Sequence, residues 1–341
     1  MYWFMFLKSK FLIIIFLCLC LSAQAQESFR VMFYNVENLF DTKDDKHKND
    51  NDFLPQSSRK WTYNRYKEKL NHIAKTIIAS GNRHVPDLVG LCEVENDVCM
   101  RDLIKYSPLR EADYRYVMTD SPDERGIDVA LIYQRHSFKL LGHQSISVPI
   151  HKLKRGHTRD ILHVTGKVLS GDTLDVFVVH YPSRNGGQKK SEPYRLLVSQ
   201  TLNKSIASLK KVRKNPHILV MGDFNDYPKD PSLKELKKSG LHNMMEGMKS
   251  GSYKYNGKWE IIDQILVSNN LLKRNNSIRT SSKHVKIIRL PFTLEEDNRY
   301  GGDKPYRTYN GMKYQGGYSD HLPVCLDLDV FTRDDKDYYL K

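Results

Sequence analysis

An α/β fold, with strands and helices layered around one core, is the fold class that this sequence predicts. Short apolar, strand-like runs alternate with amphipathic helical stretches along the chain. No self-similarity recurs at a period of about 20–50 residues, which sets aside solenoids and propellers. No Gly/Ser- or Pro-rich linker divides the chain, so one domain over residues 26–341 is expected behind an N-terminal leader.

The elements follow in order. Phe29 to Val36 reads as a strand. Tyr66, Leu70, Ile73, Ala74, Ile77 and Ile78 fall at helical spacing, and Gly81 ends that helix. Pro86-Asp87 leads into a strand at Leu88–Cys92, and Asn96 is placed to cap a short helix through Tyr106. Strands are expected at Tyr114–Met118, Val129–Tyr133, Ile161–Val168 and Leu174–Val179. Pro193 is expected to open a long helix with Leu196, Leu197, Ser199, Leu202, Ile206 and Leu209 inward. Strands at Ile218–Met221, Ile261–Val267 and Leu322–Leu328 complete the pattern. Asp41 to Lys60, acidic residues set among lysines, and Thr293 to Gly317, rich in Gly and Tyr, read as surface loops.

Residues 1–25 read as a signal peptide: Lys8 and Lys10, an apolar stretch from Phe11 to Leu21, then Ala23-Gln24-Ala25. The stretch is shorter than the ~20 residues of a spanning helix. An uncleaved anchor is the alternative, and Cys18 and Cys20 lack the small residues that precede a lipidated cysteine. The expected product is an exported, periplasmic or secreted, monomeric protein. The chain carries 54 Lys+Arg against 40 Asp+Glu, a net charge of +14, which falls to +12 without the leader's two lysines. That excess points to an anionic partner, whether nucleic acid, phospholipid or phosphorylated small molecule. Composition excludes disorder, collagen and a multi-span membrane protein. Cys92, Cys99 and Cys325 remain after the leader, an odd number with no CxxC pair, which argues against a disulfide framework and a zinc site.

Polar residues cluster where apolar runs stop. Asn35 and Glu37 follow Phe33-Tyr34, Glu93 follows Leu91-Cys92, and His180 follows Phe177-Val178-Val179. Asp223 and Asn225 follow Leu219–Gly222, Asp263 follows Ile261-Ile262, and Asp320-His321 precedes Leu322-Pro323-Val324. Singly, each has an ordinary reading as a cap, a turn or a bonded core histidine. Together they place acids, amides and imidazoles at one mouth of a sheet, where α/β proteins bind ligands. Oxygen donors without thiolates suit Mg²⁺, or Mn²⁺ in its place, completed by substrate phosphate. Histidines can bond phosphate oxygens, and Asp223 can orient or deprotonate a water. That chemistry is phosphoester hydrolysis.

The segments Tyr34-Asn35-Val36-Glu37-Asn38, Glu93-Val94-Glu95-Asn96, His180-Tyr181-Pro182-Ser183-Arg184, Gly222-Asp223-Phe224-Asn225 and Ser319-Asp320-His321-Leu322-Pro323 resemble the motifs of the endonuclease/exonuclease/phosphatase superfamily, in that family's order. The superfamily includes pancreatic deoxyribonuclease, abasic-site endonucleases, sphingomyelinases and inositol polyphosphate 5-phosphatases. The His180 to Gly187 segment further resembles exported bacterial members. The resemblance implies a four-layer α/β sandwich, two mixed sheets face to face with helices outside. It implies that Asn35, Glu93 and Asp320 lie at the metal and that His180 and His321 stand on the phosphate side. It also implies that Asp223 and Asn225 position nucleophile and substrate, and that Asp263 orients His321. Gln264 and Cys92 depart from the family's usual Arg or Tyr and Gln, which bears on neighbouring substrate contacts. Arg159 and Arg184 are candidate phosphate contacts, Asp128 a candidate partner of His180, and Glu37 and Glu95 candidate supporting groups. The expected activity is an Mg²⁺-dependent nuclease. A phosphatase or phosphodiesterase acting on a small molecule or lipid headgroup, and a non-catalytic binding module, are the alternatives.

Overall fold

The computed structural model describes residues 26–153 and 156–332, so the leader expected at residues 1–25 lies outside the described residues. The chain begins with β1 (Gln26–Leu39), α1 (Tyr63–Ala79), β2 (Leu88–Val94), α2 (Asp97–Tyr106), β3 (Tyr114–Met118), β4 (Asp128–Gln134) and β5 (Phe138–Ile146). It continues with β6 (Ile161–Val168), β7 (Thr173–His180), α3 (Gln188–Val212), β8 (His217–Asp223), α4 (Pro231–Lys237) and β9 (Leu241–Asn243). A hairpin of β10 (Tyr253–Tyr255) and β11 (Lys258–Glu260) precedes β12 (Asp263–Ser268). Short strands β13 (Ile278–Arg279), β14 (Val285–Ile287), β15 (Leu294–Glu296), β16 (Asp303–Pro305), β17 (Tyr309–Asn310) and β18 (Lys313–Tyr314) lead to β19 (Val324–Phe331).

Two large sheets form. One runs β13-β19-β1-β2-β4-β3, with β14 also on β19; the other runs β5-β6-β7-β8-β12-β9. Each contains one parallel pair, β1–β2 and β7–β8, among antiparallel neighbours. A parallel pair needs a long crossover, and α1 and α3 supply these two. The inner faces meet in a core containing Val31, Phe33, Leu131, Val176, Val178, Leu219, Met221 and Leu326. On the first sheet's outer face, Met32, Val89 and Ile132 pack with Leu70, Ile73 and Ile77 of α1 and Leu103 of α2. On the second, Phe177, Val220 and Leu266 pack with Leu202 and Ile206 of α3 and Leu236 of α4. The architecture is the four-layer α/β sandwich. Strands covered on both faces explain the unbroken apolar runs at Leu88–Cys92 and Leu219–Met221. Burying each of Leu70, Ile73 and Ile77 stabilises the outer layer by about 1.5–3 kcal/mol, whereas Ile78 stays exposed.

Three differences from expectation have local causes. The long helix starts at Gln188, with Pro193 inside it. The buried Arg195 side chain donates to the Gln188 carbonyl at 3.0 Å and the Ser191 hydroxyl at 2.7 Å, and pairs with Asp226 at 2.8 Å, which holds the turn ahead of the proline. Strand β5 shows no apolar alternation because most of it is exposed at a sheet edge. The strand expected from Ile261 begins at Asp263 instead. Because β12 runs antiparallel to β8, its start lies at the same mouth as the end of β8.

Candidate active site

Strand register assembles the site. In the second sheet His180 pairs with Asp223 across β7 and β8, and Asp223 pairs with Asp263 across β8 and β12, which sets three polar residues in one row. In the first sheet Asn35 pairs with Cys92. Beyond that pair both strands bulge, so that Leu39 next meets Val94. Glu93 sits in this irregularity with φ +63°, and Glu37 and Asn38 have φ +51° and +53°. Left-handed backbone at such residues costs of order 1–3 kcal/mol each and concentrates at functional positions. Asn225, after β8, has φ +49°. Gly222 is required by close approach: a Cβ there would lie 2.1 Å from the Val179 carbonyl oxygen.

Hydrogen bonds tie the two sheets together at this mouth. The Asn35 amide donates from Nδ2 to Asp223 Oδ2 at 3.2 Å and to Glu93 Oε1 at 3.5 Å. The Asn38 N–H donates to Glu93 Oε2 at 3.0 Å, and the Asn225 N–H to Asp223 Oδ1 at 2.9 Å. Ser319 Oγ donates to the Asn35 carbonyl at 2.7 Å and accepts from the His321 N–H at 3.1 Å, docking the segment before β19. His321 Nδ1 lies 2.7 Å from Asp263 Oδ2, which also accepts from Ser252. His321 Nε2 and His180 Nε2 are each 3.8 Å from Asp223 Oδ2. The two imidazoles therefore flank one carboxylate.

Their charge states differ. Burial pushes the His180 pKa well below its ordinary value, aided by Arg159 and Arg125, so its imidazole is neutral. Its Nδ1 is buried with no hydrogen-bond partner, which leaves Nε2 as the N–H bearing atom. Burial would lower His321 too, but the Asp263 charge and hydrogen bond overcome it and hold the imidazolium. Burial, with Asp263 next in strength, pushes Asp223 up to about 7, against the pull of His321. Behind the mouth, burial and Asp320 raise Glu37 to about 7. Arg307 bridges Glu37 at 3.4 Å and Asp320 at 2.9 Å. The buried Lys69 ammonium donates to Thr308 Oγ1 at 2.6 Å and the Tyr318 carbonyl at 2.7 Å.

Two donor sets could hold a cation. Atoms of Asp223, Asp263 and His321 lie within 4.8 Å of one another. In that set His321 is cationic and already bonded to Asp263, which opposes a second positive charge. Glu93 and Asp320 offer carboxylate oxygens at the same mouth, where Asn35 turns Nδ2 toward Glu93 while its Oδ1 accepts from the Glu37 N–H at 3.0 Å. Carboxylate oxygens fit Mg²⁺.

The structure brings together Asn35, Glu93, His180, Asp223, Asn225, Asp263, Asp320 and His321, most of them around a cleft of about 660 Å³. Arg184 also lines it, donating from Nε to the Asn225 carbonyl at 2.7 Å and pairing with Glu260 at 3.3 Å over the Tyr227 ring. Arg159 lies apart from that lining. It is buried against Asp123 at 3.2 Å and the Tyr181 carbonyl at 2.8 Å, below a neighbouring cavity. The expected Asp128–His180 pair is corrected: Asp128 accepts from Thr119 and Ser121, because β4 lies in the opposite sheet and carries its side chain into that turn. Sequence reasoning missed Arg125, whose guanidinium donates to Asn38 Oδ1 at 2.7 Å and approaches Glu93 at 3.8 Å. A charged residue just ahead of a buried strand was the available signal. It also missed Tyr253, whose ring lies 4.8 Å from that of His321, and Arg307, which had no signal inside its irregular loop.

The model of the endonuclease/exonuclease/phosphatase family matches residues 30–330. No curated protein matches the chain at a significant level. Among solved structures, the chain is similar to a Bacteroides thetaiotaomicron mannosyl-6-phosphatase at 18% identity, over 88% of this chain and 99% of that one, with TM-score 0.58. It is similar to the catalytic domain of human Nocturnin with bound sulfate at 18% identity, over 89% and 95%, with TM-score 0.55. It is similar to D. rerio TDP2 in complex with a single-strand DNA product at 15% identity, over 89% and 99%, with TM-score 0.55. At such identities the structural likeness establishes the fold. With the family model spanning nearly all of the described residues, the chain belongs to the endonuclease/exonuclease/phosphatase family of phosphoester hydrolases.

Proposed function

We propose that this hydrolase is an exported, Mg²⁺-dependent nuclease that cleaves phosphodiester bonds by attack of water. The observation that carries the reading is the shape of the mouth. The central cleft and two neighbouring cavities of about 400 and 350 Å³ all share Arg125 in their linings, and Arg59, Arg159 and Arg184 line one or another of them. A single phosphate occupies part of one such cavity, whereas a polymer uses a run of them.

In this reading Asn35, Glu93 and Asp320 hold the ion, which when bound neutralises phosphoryl charge and acidifies water. Asp223, near 7, suits a general base acting close to neutrality and is aimed by Asn35 and the Asn225 amide. His321, kept cationic by Asp263, neutralises phosphate oxygen charge as it develops. His180 donates a neutral N–H from Nε2 to another phosphate oxygen. Asn225 and Arg184 border the leaving side.

A second reading, a phosphatase of a small hydroxylated phosphoester, is favoured by Glu260. In the central cleft Glu93, Asp223, Glu260 and Asp320 outnumber Arg125 and Arg184, a poor balance for a polyanion and a good one for bonding hydroxyls. Oligonucleotide binding by the Asp223→Asn protein separates the two. For a nuclease, affinity falls by orders of magnitude between about 50 and 200 mM salt, and Arg125→Ala makes that slope shallower by about one phosphate contact. A shallow slope, no cleavage of DNA or RNA, and Mg²⁺-supported hydrolysis of a sugar phosphate would replace the nuclease with the phosphatase.

A further inference from the structure

The positive excess of this chain does not sit at its mouth, where acids outnumber arginines in the central cleft. It gathers on three segments of the second sheet's outer layer and far end: residues 201–217, 231–246 and 268–276. They hold ten Lys and Arg against two Glu, a net +8 of the +12 that remains without the leader. The first is the second half of α3 with the turn after it, the second is α4 with the chain through β9, and the third starts where β12 ends. Hydrogen bonds pack them side by side. Asn203 Nδ2 donates to the Glu235 carbonyl at 2.8 Å and Lys210 Nζ to the Ser239 carbonyl at 2.6 Å, which joins the first two. Asn270 Nδ2 donates to the Asn215 carbonyl at 2.8 Å and the Asn269 N–H to the Gly240 carbonyl at 3.3 Å, which joins the third to both. β8 starts at His217 and β12 stops at Ser268, while Asp223 and Asp263 at their other ends stand in the mouth. The turn after α3 and the segment after β12 therefore lie at the end opposite the mouth.

The acids of this corner are already engaged. Glu235 pairs with Lys238 at 2.6 Å, Glu246 with Lys237 at 2.9 Å, and the buried Asp175 with Arg213. Asp172, whose charge also reaches His217, accepts from Ser170 and Ser277. The side chains of Lys204, Lys211, Lys214, Lys234, Lys273 and Arg274 are exposed, and among the described residues none has an ion-pair partner. Helix dipoles account for cations in the last turns of α3 and α4, but not for Lys204, Lys214, Lys273 or Arg274. The composition narrows the partner. Eight of the ten cations are lysines, point charges suited to a diffuse anionic surface rather than to gripping one phosphate bidentately. The three segments contain no Phe, Tyr or Trp, so they offer no platform on which bases stack. Val212, 82% exposed among Lys210, Lys211 and Lys214, offers instead an apolar contact beneath a layer of headgroups.

We propose that this basic corner seats the protein on an anionic phospholipid surface and leaves the mouth turned toward water-borne substrate. The attraction is electrostatic and additive over lysines within a Debye length of the headgroups, so it is strong at low salt and reversible. It stands on the fold and the placement of charge, and holds whether the site cleaves a polymer or a small phosphoester.

The test sediments residues 26–341, which carry every described element, with phosphatidylcholine vesicles and with vesicles containing about one-third phosphatidylglycerol. Binding should require the anionic lipid and should fall at least about tenfold between about 50 and 200 mM salt. Replacing Lys211, Lys214 and Lys273 together by Gln should weaken it roughly a hundredfold, about fivefold for each charge. The same loss of charge at the exposed Lys43, Lys46 and Lys105, outside the corner, should leave binding within about twofold of wild type. All three chains should unfold at one Tm, because only exposed side chains change. Wild-type vesicle binding by the Lys211/Lys214/Lys273 variant overturns the proposal. So does an equal loss in the Lys43/Lys46/Lys105 variant, since net charge alone then acts. If the wild type ignores anionic vesicles and the corner variant instead loses affinity for duplex DNA, measured in an Asp223→Asn background, the corner is a nucleic-acid surface and the lipid assignment is overturned.

Discussion

Asp263→Asn removes one charge and almost no volume from the pair that governs His321. In the wild type the 2.7 Å contact between Asp263 Oδ2 and His321 Nδ1 is fully enclosed, with both side chains buried. Stranding a buried charge by deleting its partner costs about 3–5 kcal/mol. The imidazole has an escape, because it can shed its proton. Part of that cost therefore leaves the stability balance and appears in catalysis, where a neutral His321 no longer faces the phosphate. A loss of about 4 kcal/mol in the transition state is roughly a 10³-fold fall in kcat/KM. The pH profile gives the sign. A histidine whose folded pKa stands above its ordinary 6.5 contributes stability that is complete below 6.5 and is lost as pH rises through the folded value. The stability gap between wild type and Asp263→Asn should thus be widest below pH 6.5 and close toward alkaline pH. The alkaline limb of kcat/KM should move to lower pH in the variant. The assay is hydrolysis of bis-(p-nitrophenyl) phosphate from pH 5 to 10, beside urea unfolding at the same pH values. An Asp263→Asn enzyme with wild-type rate and an unmoved alkaline limb would refute the reasoning.

Other expectations follow from the same geometry. Glu93→Gln preserves shape but withdraws a negative oxygen, so the Mg²⁺ concentration for half-maximal rate should rise at least about tenfold, and EDTA should abolish wild-type turnover; activity that survives EDTA ends the metal assignment. His180→Ala should reduce turnover by about 10²–10⁴. Because burial keeps His180 neutral, the acid limb of wild-type activity should follow Asp223, near 7, and the residual activity of His180→Ala should keep that limb in place, which a pH–rate profile checks. Gly222→Ala drives a Cβ to 2.1 Å from the backbone oxygen of Val179, so unfolding by urea should reveal a loss of at least about 2–3 kcal/mol; a neutral result would mean that β7 and β8 can part there.

The sequence alone determined much of this protein. Apolar runs marked nine of the thirteen strands in the two large sheets, helical spacing marked α1 and the inner face of α3, and Asn96 announced its cap, which accepts from the Cys99 N–H at 2.9 Å. The polar residues at strand ends, and the order of the motifs they form, disclosed the family and the reacting groups. These are readable because a side chain's chemistry and a strand's burial are local properties, written in residue type and period. Tertiary structure decided what stands beside what. The Asp263–His321 contact spans 58 positions and arises only because the β8–β12 register and the docking of Ser319 bring two loops to one mouth. Asp128, by contrast, is held by Thr119 and Ser121, nine and seven positions away across the β3–β4 connection, so a local turn takes the carboxylate that was expected at His180. Arg307 and Tyr253 come from segments with no periodicity, where no pattern distinguishes a surface side chain from one folded into a site. Their placement rests on long-range packing, and that is a property of the assembled sandwich rather than of any stretch of chain.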